Sequence, residues 1–199
     1  MALNSQILLL IVGWTTGISV YLTVAILGLA GNTGYIDLPG NLEALQNPAI
    51  IILAIGLYLV EFLADKIPAV DSLWDAFHIW IRPASGAILG AMAGTEYGPL
   101  AEVGMAVVTG SIALQTAAVK SSTRLAVNTS PEPFSNIAVS VTEDAAVIGI
   151  FWFFIQHPVL AGCVVVAVII ASFMLLRLLW KFVKKIFSRK QDKPLPNAA

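Results

Sequence analysis

Two polar segments interrupt this otherwise apolar chain, and they hold most of its acidic and basic side chains outside the C-terminal region. They are residues 61–82 (EFLADKIPAVDSLWDAFHIWIR) and residues 120–144 (KSSTRLAVNTSPEPFSNIAVSVTED). Ionisable groups at membrane depth are costly unless they are paired or wetted, so they indicate a functional site. The chemistry that these residues suggest is the binding and passage of protons, cations or anionic groups.

Two carboxylates, Glu61 and Asp65, lie one helical turn apart and therefore share a helix face. Facing the interior of a bundle they repel each other unless a proton or a cation, such as that of Lys66, lies between them. The functional interpretation is a proton or cation site. The alternative is an ordinary helix end whose charges extend to the membrane surface.

A stripe of Asp71, Asp75, His78 and Arg82 follows at steps of four, three and four residues. On a helix these side chains make one continuous polar face. The stripe either lies flat on the membrane surface or lines a groove that leads inward to Arg82. We expect the inward arrangement, because Arg82 directly precedes a long apolar run.

The second segment opens with two cations, Lys120 and Arg124, and ends with the adjacent carboxylates Glu143 and Asp144. The cations suit an anionic ligand such as a phosphate or a lipid head group, or they anchor the helix at the cytoplasmic surface. Adjacent residues point about 100° apart on a helix, so one of the two carboxylates is expected to face a cation. We expect Glu143 to pair with Lys120, Arg124 or Arg82, either for function or to hold the bundle in register.

Between these charges, the prolines of NTSPEPFSN forbid regular helix, and Asn128 lies at the start of this break. If the break enters the bilayer, its free carbonyls and amide side chains can bind an ion or a substrate. If it stays outside, it is a polar loop.

The elements that position these residues are membrane helices. The chain has 199 residues, of which 58% are hydrophobic and only 12% charged, about half the charged fraction of soluble domains. This composition predicts an all-α integral membrane protein with two Pro-containing polar breaks. Six transmembrane helices fit, over residues 7–30, 48–65, 71–94, 99–119, 134–156 and 159–182.

Charge asymmetry predicts the topology. From Arg177 onward there are seven basic residues and one acidic residue, whereas the preceding part has four basic and eleven acidic residues. Basic residues on one side only indicate that both termini are cytoplasmic. We expect one transmembrane domain over residues 1–187 and a disordered tail over residues 188–199 that contacts anionic lipids rather than nucleic acid.

Glycines recur every fourth residue at Gly86, Gly90, Gly94 and Gly98, a pattern that allows membrane helices to pack closely within one chain or between copies of a homo-oligomer. A weak parallel internal repeat is also possible. It would relate the hairpin of spans two and three to the hairpin of spans four and five, because each carries a Pro-containing polar stretch before a helix rich in small residues.

Catalytic and metal-binding motifs are absent from the sequence: there is no HExxH, GxSxG, Walker A or CxxC. The two histidines stand alone, so we expect no metal and no cofactor. The sequence therefore disfavours an enzyme.

In its two polar segments, EFLADKIPAVDSLWDAFHIWIRPASGAILGA and TRLAVNTSPEPFSN followed by ED, the chain resembles a family of small bacterial membrane proteins. The family is catalogued as a domain of unknown function, number 4126. The resemblance covers nearly all of residues 5–185 and implies a bacterial inner-membrane protein. It implies no particular activity.

The residues thus favour a transporter, channel or lipid translocator with a charged cavity open to the cytoplasm. The alternative is a non-catalytic membrane scaffold or assembly factor that uses the glycines and the basic tail. The candidate site for substrate or ions comprises Glu61, Asp65, Asp71, Asp75, His78, Arg82, Lys120, Arg124, Asn128, Glu143 and Asp144.

Overall fold

The computed structural model describes residues 2–128 and 133–191, and this part of the chain is helical with no β-strand. Seven α-helices follow one another along the chain, with short 3₁₀ helices at Gly40–Gln46 and Thr95–Tyr97. The α-helices are α1 Ala2–Ile18, α2 Val20–Asn32, α3 Pro48–Ala64, α4 Pro68–Gly94, α5 Pro99–Asn128, α6 Pro133–Gln156 and α7 Pro158–Gln191.

The helices from α3 to α7 all begin on a proline. Proline suits the first helical position, because its fixed φ is already helical and the N–H that it lacks would have no intrahelical partner there. The five corresponding predicted spans therefore begin within three residues of the observed helices. Helix α7 continues to Gln191, so the first residues of the predicted disordered tail are helical, and residues 192–199 lie outside the described residues.

The first predicted span, residues 7–30, is wrong as one continuous helix. Ser19 has extended backbone angles (φ −145°, ψ 114°) and separates α1 from α2. Its hydroxyl oxygen accepts a hydrogen bond from the Leu22 N–H, so Ser19 is the N-cap of α2. The Ser19 side chain thus stabilises a helix break that the surrounding apolar sequence does not predict.

Helices α1 and α2 form a V whose tip is Ser19. Gly13 and Gly17 of α1 pack against Thr109 and Thr116 of α5, so α1 runs in the same direction as α5. Helix α2 returns along α3, because Ser19 contacts Glu61 near one end of α3 and Gly28 packs against Ile51 near the other. Most residues of the V are buried, and it lies at the centre of the bundle.

The two ends of the bundle differ in composition. At one end, which we call the loop end, Gly40 of the loop between α2 and α3 packs against Thr95 of the α4–α5 connection, and α1 begins there too. At the other, which we call the charged end, lie the α3–α4 turn and the far part of α5. Hairpins α3–α4 and α5–α6 both start at the loop end and turn at the charged end, as the predicted repeat requires.

The outside of the bundle is apolar while charges are buried inside, the reverse of a soluble protein. Exposed aliphatic and aromatic side chains cover the outer faces of α3 to α7, including Leu53, Leu100, Trp152 and Met174. Helices α5, α6 and α7 are each long and apolar enough to cross a membrane. The 3₁₀ helix at Gly40–Gln46 and α3 meet at 74°, and together they make a fourth span if the bent pair is counted as one membrane crossing. The six predicted spans are therefore not confirmed.

The glycines of α4 pack within the chain. A Cβ at Gly86 would lie 2.7 Å from the Ala113 side chain, and one at Gly90 would lie 2.5 Å from the Met105 carbonyl oxygen. Gly94 is equally close to the backbone of Glu102. The partner of this glycine face is α5 of the same chain. Gly98 does not belong to it, because it forms the turn before α5 with φ +93° and has open space around it.

Candidate functional site

The polar stripe of α4 points inward. Asp71, Asp75, His78 and Arg82 are each at most 5% exposed, whereas Trp80 on the opposite side of the same helix is 76% exposed. Pro83 lies inside α4 without ending it, so the stripe and the following apolar run form one helix. The inward arrangement predicted from the sequence is confirmed, and the surface-lying alternative is excluded.

Arg82 is completely buried and forms the first group of ion pairs. Its Nη2 lies 2.8 Å from Oδ1 of Asp75 and 3.4 Å from Oε1 of Glu61. The other oxygen of Glu61 accepts a hydrogen bond from the hydroxyl of Ser19. Arg82 thereby connects α4 to α3 and, through Glu61, to the tip of the V.

Arg124 of α5 organises the second group. Its Nη2 lies 2.6 Å from Oε2 of Glu143 and 3.0 Å from Oδ2 of Asp65. Its Nη1 donates to Oδ1 of Asn136 at 2.8 Å and lies 3.8 Å from Oδ1 of Asp71. The Arg124 guanidinium therefore connects α5 to the end of α3, to the start of α4 and to α6. The predicted pairing of Glu143 with a cation is confirmed.

Lys120 links this second group to the break in the V. Its Nζ donates to the carbonyl oxygen of Ile18 at 3.0 Å and lies 3.3 Å from Oδ2 of Asp65 and 3.5 Å from Oε2 of Glu143. The carbonyls at a helix C-terminus carry partial negative charge and attract cations. Lys120 thus stabilises the last turn of α1 at the point where the helix breaks.

We call these residues the ion-pair cluster. Its five carboxylates and three cations leave a formal charge of −2 when all are ionised. Lys66 does not lie between Glu61 and Asp65: its ammonium donates to the Phe62 carbonyl and lies over the Phe62 ring. The cluster consists of Glu61, Asp65, Asp71, Asp75, Arg82, Lys120, Arg124 and Glu143.

The remaining predicted residues border the cluster. Nδ1 of His78 donates to the Trp74 carbonyl oxygen at 2.9 Å, which leaves Nε2 to accept from the Tyr21 hydroxyl at 3.1 Å. The Tyr58 hydroxyl donates to Asp144 at 3.1 Å. These contacts orient both titratable groups without giving either of them a cation.

Asn128 also borders the cluster. Its amide nitrogen donates to Oδ2 of Asp71 at 2.7 Å. This contact places the end of α5 against the start of α4. Residues 129–132 of the second polar break lie outside the described residues, whereas its second proline, Pro133, begins α6.

A small cavity of about 190 Å³ lies between α4 and α5 at the charged end. Three of the eleven predicted site residues line it, namely Asp75, Arg124 and Asn128. The cavity is lined by Ser72, Asp75, Ala76, Ile79, Ser121, Arg124, Leu125 and Asn128.

A larger cavity, of about 700 Å³, lies at the loop end. The start of α1 and the loop between α2 and α3 form its walls together with Thr95, Phe154 and Pro158. Its charged lining residues are Asp37, Glu43 and Glu96, all of them exposed. Between the two cavities lie the V and the ion-pair cluster.

Three polar residues of the site are missing from the sequence-based prediction: Ser19, Tyr21 and Tyr58. Asn136 is one of the amide side chains of the polar break that the sequence indicates as possible ligands. The other three residues lie in apolar runs, where single hydroxyls are ordinary. Only the packing of α2 and α3 against the charges gives them a role.

The geometry defines an all-helical membrane-type protein with a buried charged centre. The chain belongs to the family described as Domain of unknown function (DUF4126), whose profile matches residues 7–178. The resemblance noted in the two polar segments is thus confirmed. No curated protein and no solved structure matches the chain. Among the described residues, no group of three His, Cys, Asp or Glu is placed to hold a metal ion.

Proposed function

We propose that this protein is a small transporter of the bacterial inner membrane, and that the ion-pair cluster is its central gate. The observation that carries the proposal is the break at Ser19. Discontinuous apolar helices whose ends meet buried charges are the usual construction of ion and substrate sites in transporters. Here the C-terminal end of α1 meets Lys120, and the hydroxyl of Ser19 meets Glu61.

The depth of Arg82 supports this role. Arg82 lies twelve residues before the end of α4 at Gly94, about 18 Å at 1.5 Å per residue. A hydrocarbon core of about 30 Å puts such a residue near the middle of the bilayer. Surface anchoring does not require a charge at that depth, whereas passage of a polar solute does.

The orientation follows from the charges at the two ends. Four basic residues after Lys181, namely Lys184, Lys185, Arg189 and Lys190, lie with it in the part of α7 that runs toward the charged end, so in this proposal that end faces the cytoplasm. Helix α1 begins at the loop end, so in this proposal the N-terminus is outside and only the C-terminus is cytoplasmic. The proposal replaces six spans with five crossings, α3 to α7, and one hairpin that enters from outside and returns.

The two cavities indicate alternating access. The large cavity opens toward the outside and the small one toward the cytoplasm, while the paired charges and the V close the path between them. A polar solute can pass when the ion pairs separate and the V moves against α5. The cations of the cluster, freed from Asp65 and Glu143, would then contact an anionic group of the solute.

Reconstitution into proteoliposomes tests the proposal. Currents are recorded on solid-supported membranes with separate pools of amino acids, organic acids, amines, inorganic ions and lipid head-group phosphates. We expect a current with at least one pool that is lost in Arg82→Lys, which keeps the charge but not the two-carboxylate geometry. Glu102→Gln, a carboxylate change at the start of α5 that lines neither the large nor the small cavity, is the control and should retain the current.

Cysteine labelling tests the alternating access directly. In a Cys163→Ala background, Ser121→Cys in the small cavity should react from the cytoplasmic side and Asn41→Cys in the large cavity from the outside. Ser140→Cys, which is 1% exposed beside the cluster, should react slowly from one side or the other. No current with any pool, together with a fully inert Ser140→Cys, would contradict transport.

A membrane scaffold is the second candidate, because Lys120 and Arg124 are paired within the chain and can hold the bundle in register. A scaffold that docks through its basic C-terminal region should lose its partners when residues 188–199 are deleted. A transporter should keep its current after the same deletion.

A further inference from the structure

Helix α7 is longer than a membrane span. Its apolar part, Pro158–Leu178, has 21 residues, which is enough to cross a hydrocarbon core of about 30 Å. The helix then continues over residues 179–191, a further length of about 20 Å at 1.5 Å per residue. We call residues 179–191 the α7 extension. Because the span is already complete at Leu178, the extension lies at or beyond the membrane surface.

The end of the span and the start of the extension have left the bundle. Val165 is buried, but from Val166 to Lys181 no residue is buried among those whose exposure the structure describes. Trp180 is 73% exposed, and Arg177 and Lys181 are exposed as well. This part of α7 therefore presents a surface to its surroundings and not to the other helices.

The sequence at this end of α7 is amphipathic. Residues three or four positions apart share a helix face, and both basic and apolar residues recur here at that spacing, on opposite sides of the helix. The basic face consists of Arg177, Lys181, Lys184, Lys185 and Arg189, and the apolar face of Leu179, Phe182, Val183 and Ile186. Lys190, in the last turn, is the one basic residue of α7 outside the basic face. A basic face opposite an apolar face is typical of a helix in a membrane interface.

The charges of the extension differ from those of the ion-pair cluster. The cations of the cluster have carboxylate partners within the chain, whereas the sequence of the extension contains five basic residues and no acidic one. Basic residues beside a membrane span attract anionic lipids of the cytoplasmic leaflet. Trp180, at the junction of span and extension, is a residue type enriched at the membrane–water interface.

A lipid surface fits both faces of the extension at once. A soluble acidic protein or a nucleic acid would neutralise the basic face, but its charges would not cover the apolar face. Anionic phospholipids offer phosphate groups to the cations and acyl chains to Phe182, Val183 and Ile186. The combination of the two faces therefore favours lipid as the partner.

We propose that the α7 extension binds anionic phospholipids of the cytoplasmic leaflet, with its basic face toward the phosphate head groups and its apolar face toward the acyl chains. The inference extends the lipid contact expected for residues 188–199 to a helix that begins before them. It concerns a surface separate from the ion-pair cluster. It shares with the proposed function only the orientation of the charged end, and it holds whether or not the protein transports a solute.

Native mass spectrometry of the full chain tests the lipid preference. The protein in detergent is mixed with equal amounts of phosphatidylglycerol and phosphatidylcholine. We expect the first bound lipid to be phosphatidylglycerol at least about fivefold more often, the factor that roughly one basic residue contributes at an anionic surface. The triple variant Lys181→Gln, Lys184→Gln, Lys185→Gln should bring the ratio close to one. Lys66→Gln is the control, because it removes a cation at the same end that lies off α7 and donates to the Phe62 carbonyl.

Spin labels on two nearby positions test the placement of the two faces. In a Cys163→Ala background, Ile186→Cys carries a nitroxide on the apolar side and Ser188→Cys carries one on the basic side, about 3 Å further along the helix. Both are measured in vesicles of phosphatidylglycerol and phosphatidylcholine. We expect oxygen, which is enriched in the bilayer, to relax the label at position 186. A water-soluble nickel complex should relax the label at position 188.

Two results would overturn the proposal. One is an equal frequency of the two lipids on the native protein, or a preference that the triple variant retains. The other is a nickel complex that relaxes both labels equally, since the extension would then project into water as a docking site for a soluble acidic protein or a nucleic acid. The spin-label result decides by itself if the triple variant does not fold, because both cysteine variants keep every basic residue. A missing solute current would contradict transport without changing either result.

Discussion

Both ends of the molecule carry several carboxylates, but those of the charged end are buried and those of the loop end are exposed. At the charged end, Glu61, Asp65 and Asp75 are buried on helices and lie within 3.4 Å of a cation. At the loop end, Asp37 and Glu96 are exposed on connections around an open cavity. Burial is the difference: a carboxylate in water is solvated at no cost, whereas one inside a bundle must be paired or protonated.

This comparison explains where each cavity lies. Paired charges attract one another and close the space between them, so the charged end keeps only a small cavity beside Asp75. The exposed carboxylates of the loop end are solvated and need no partner, which is compatible with the larger cavity there.

The largest effect is expected from removing the cation of the first group. Arg82→Ala leaves Glu61 and Asp75 buried without a cation and should destabilise the protein by about 3–5 kcal/mol. Thermal unfolding in detergent measures the change. Glu96→Gln at the loop end should alter stability by less than about 0.5 kcal/mol, as expected for an exposed site. Equal stability losses in Arg82→Ala and Glu96→Gln would contradict the difference drawn here between buried and exposed charges.

A smaller loss is expected from separating α4 and α5. Gly90→Ala places a Cβ against the Met105 carbonyl and the Thr109 side chain, and overpacking of this kind costs about 1–3 kcal/mol. Gly56 on α3 has nothing within 4 Å of an added Cβ, so Gly56→Ala is the matched control and should be neutral or slightly stabilising. The same unfolding assay compares them. A neutral Gly90→Ala would show that α4 and α5 are not held together as closely as described.

The smallest of the three effects is expected at the break in the V. Ser19→Ala removes the N-cap of α2 and the hydroxyl that donates to Glu61, and loss of a cap costs about 0.5–2 kcal/mol. Transport should fall more than stability does, because Glu61 loses its contact with the V. Ser19→Thr retains the hydroxyl and should restore both. Unchanged transport in Ser19→Ala would show that the helix break at Ser19 does not contribute to the proposed gate.

Sequence patterns predicted the helices from α3 to α7 well, because the proline that opens each one is a local signal. They also predicted the inward stripe of α4, since four polar residues at helical spacing can share only one face. The break at Ser19 has no such signal: one serine in an apolar run is common, and its role depends on Glu61 and Lys120 arriving from distant parts of the chain.

The sequence predicted which residues belong to the candidate site but not which of them contact one another. Nothing in the order of the chain indicates that Arg124 would meet Asp65 and Asn136, or that Lys66, adjacent to two carboxylates, would contact a phenyl ring instead. Which of two nearby cations reaches a carboxylate depends on the direction of each side chain from its helix. That direction is set only when the helices pack.

By itself, the sequence determined that this is a membrane-type helical protein with charges gathered in two segments, because composition and helical period are local properties. Tertiary structure alone decided that α1 and α2 form a V, that the two charged segments make one cluster, and that each end of the bundle has a cavity. These features depend on contacts between residues far apart in the chain, such as Lys120 and Ile18, which are 102 positions apart. Buried charges need such partners, because ion pairing offsets their loss of hydration.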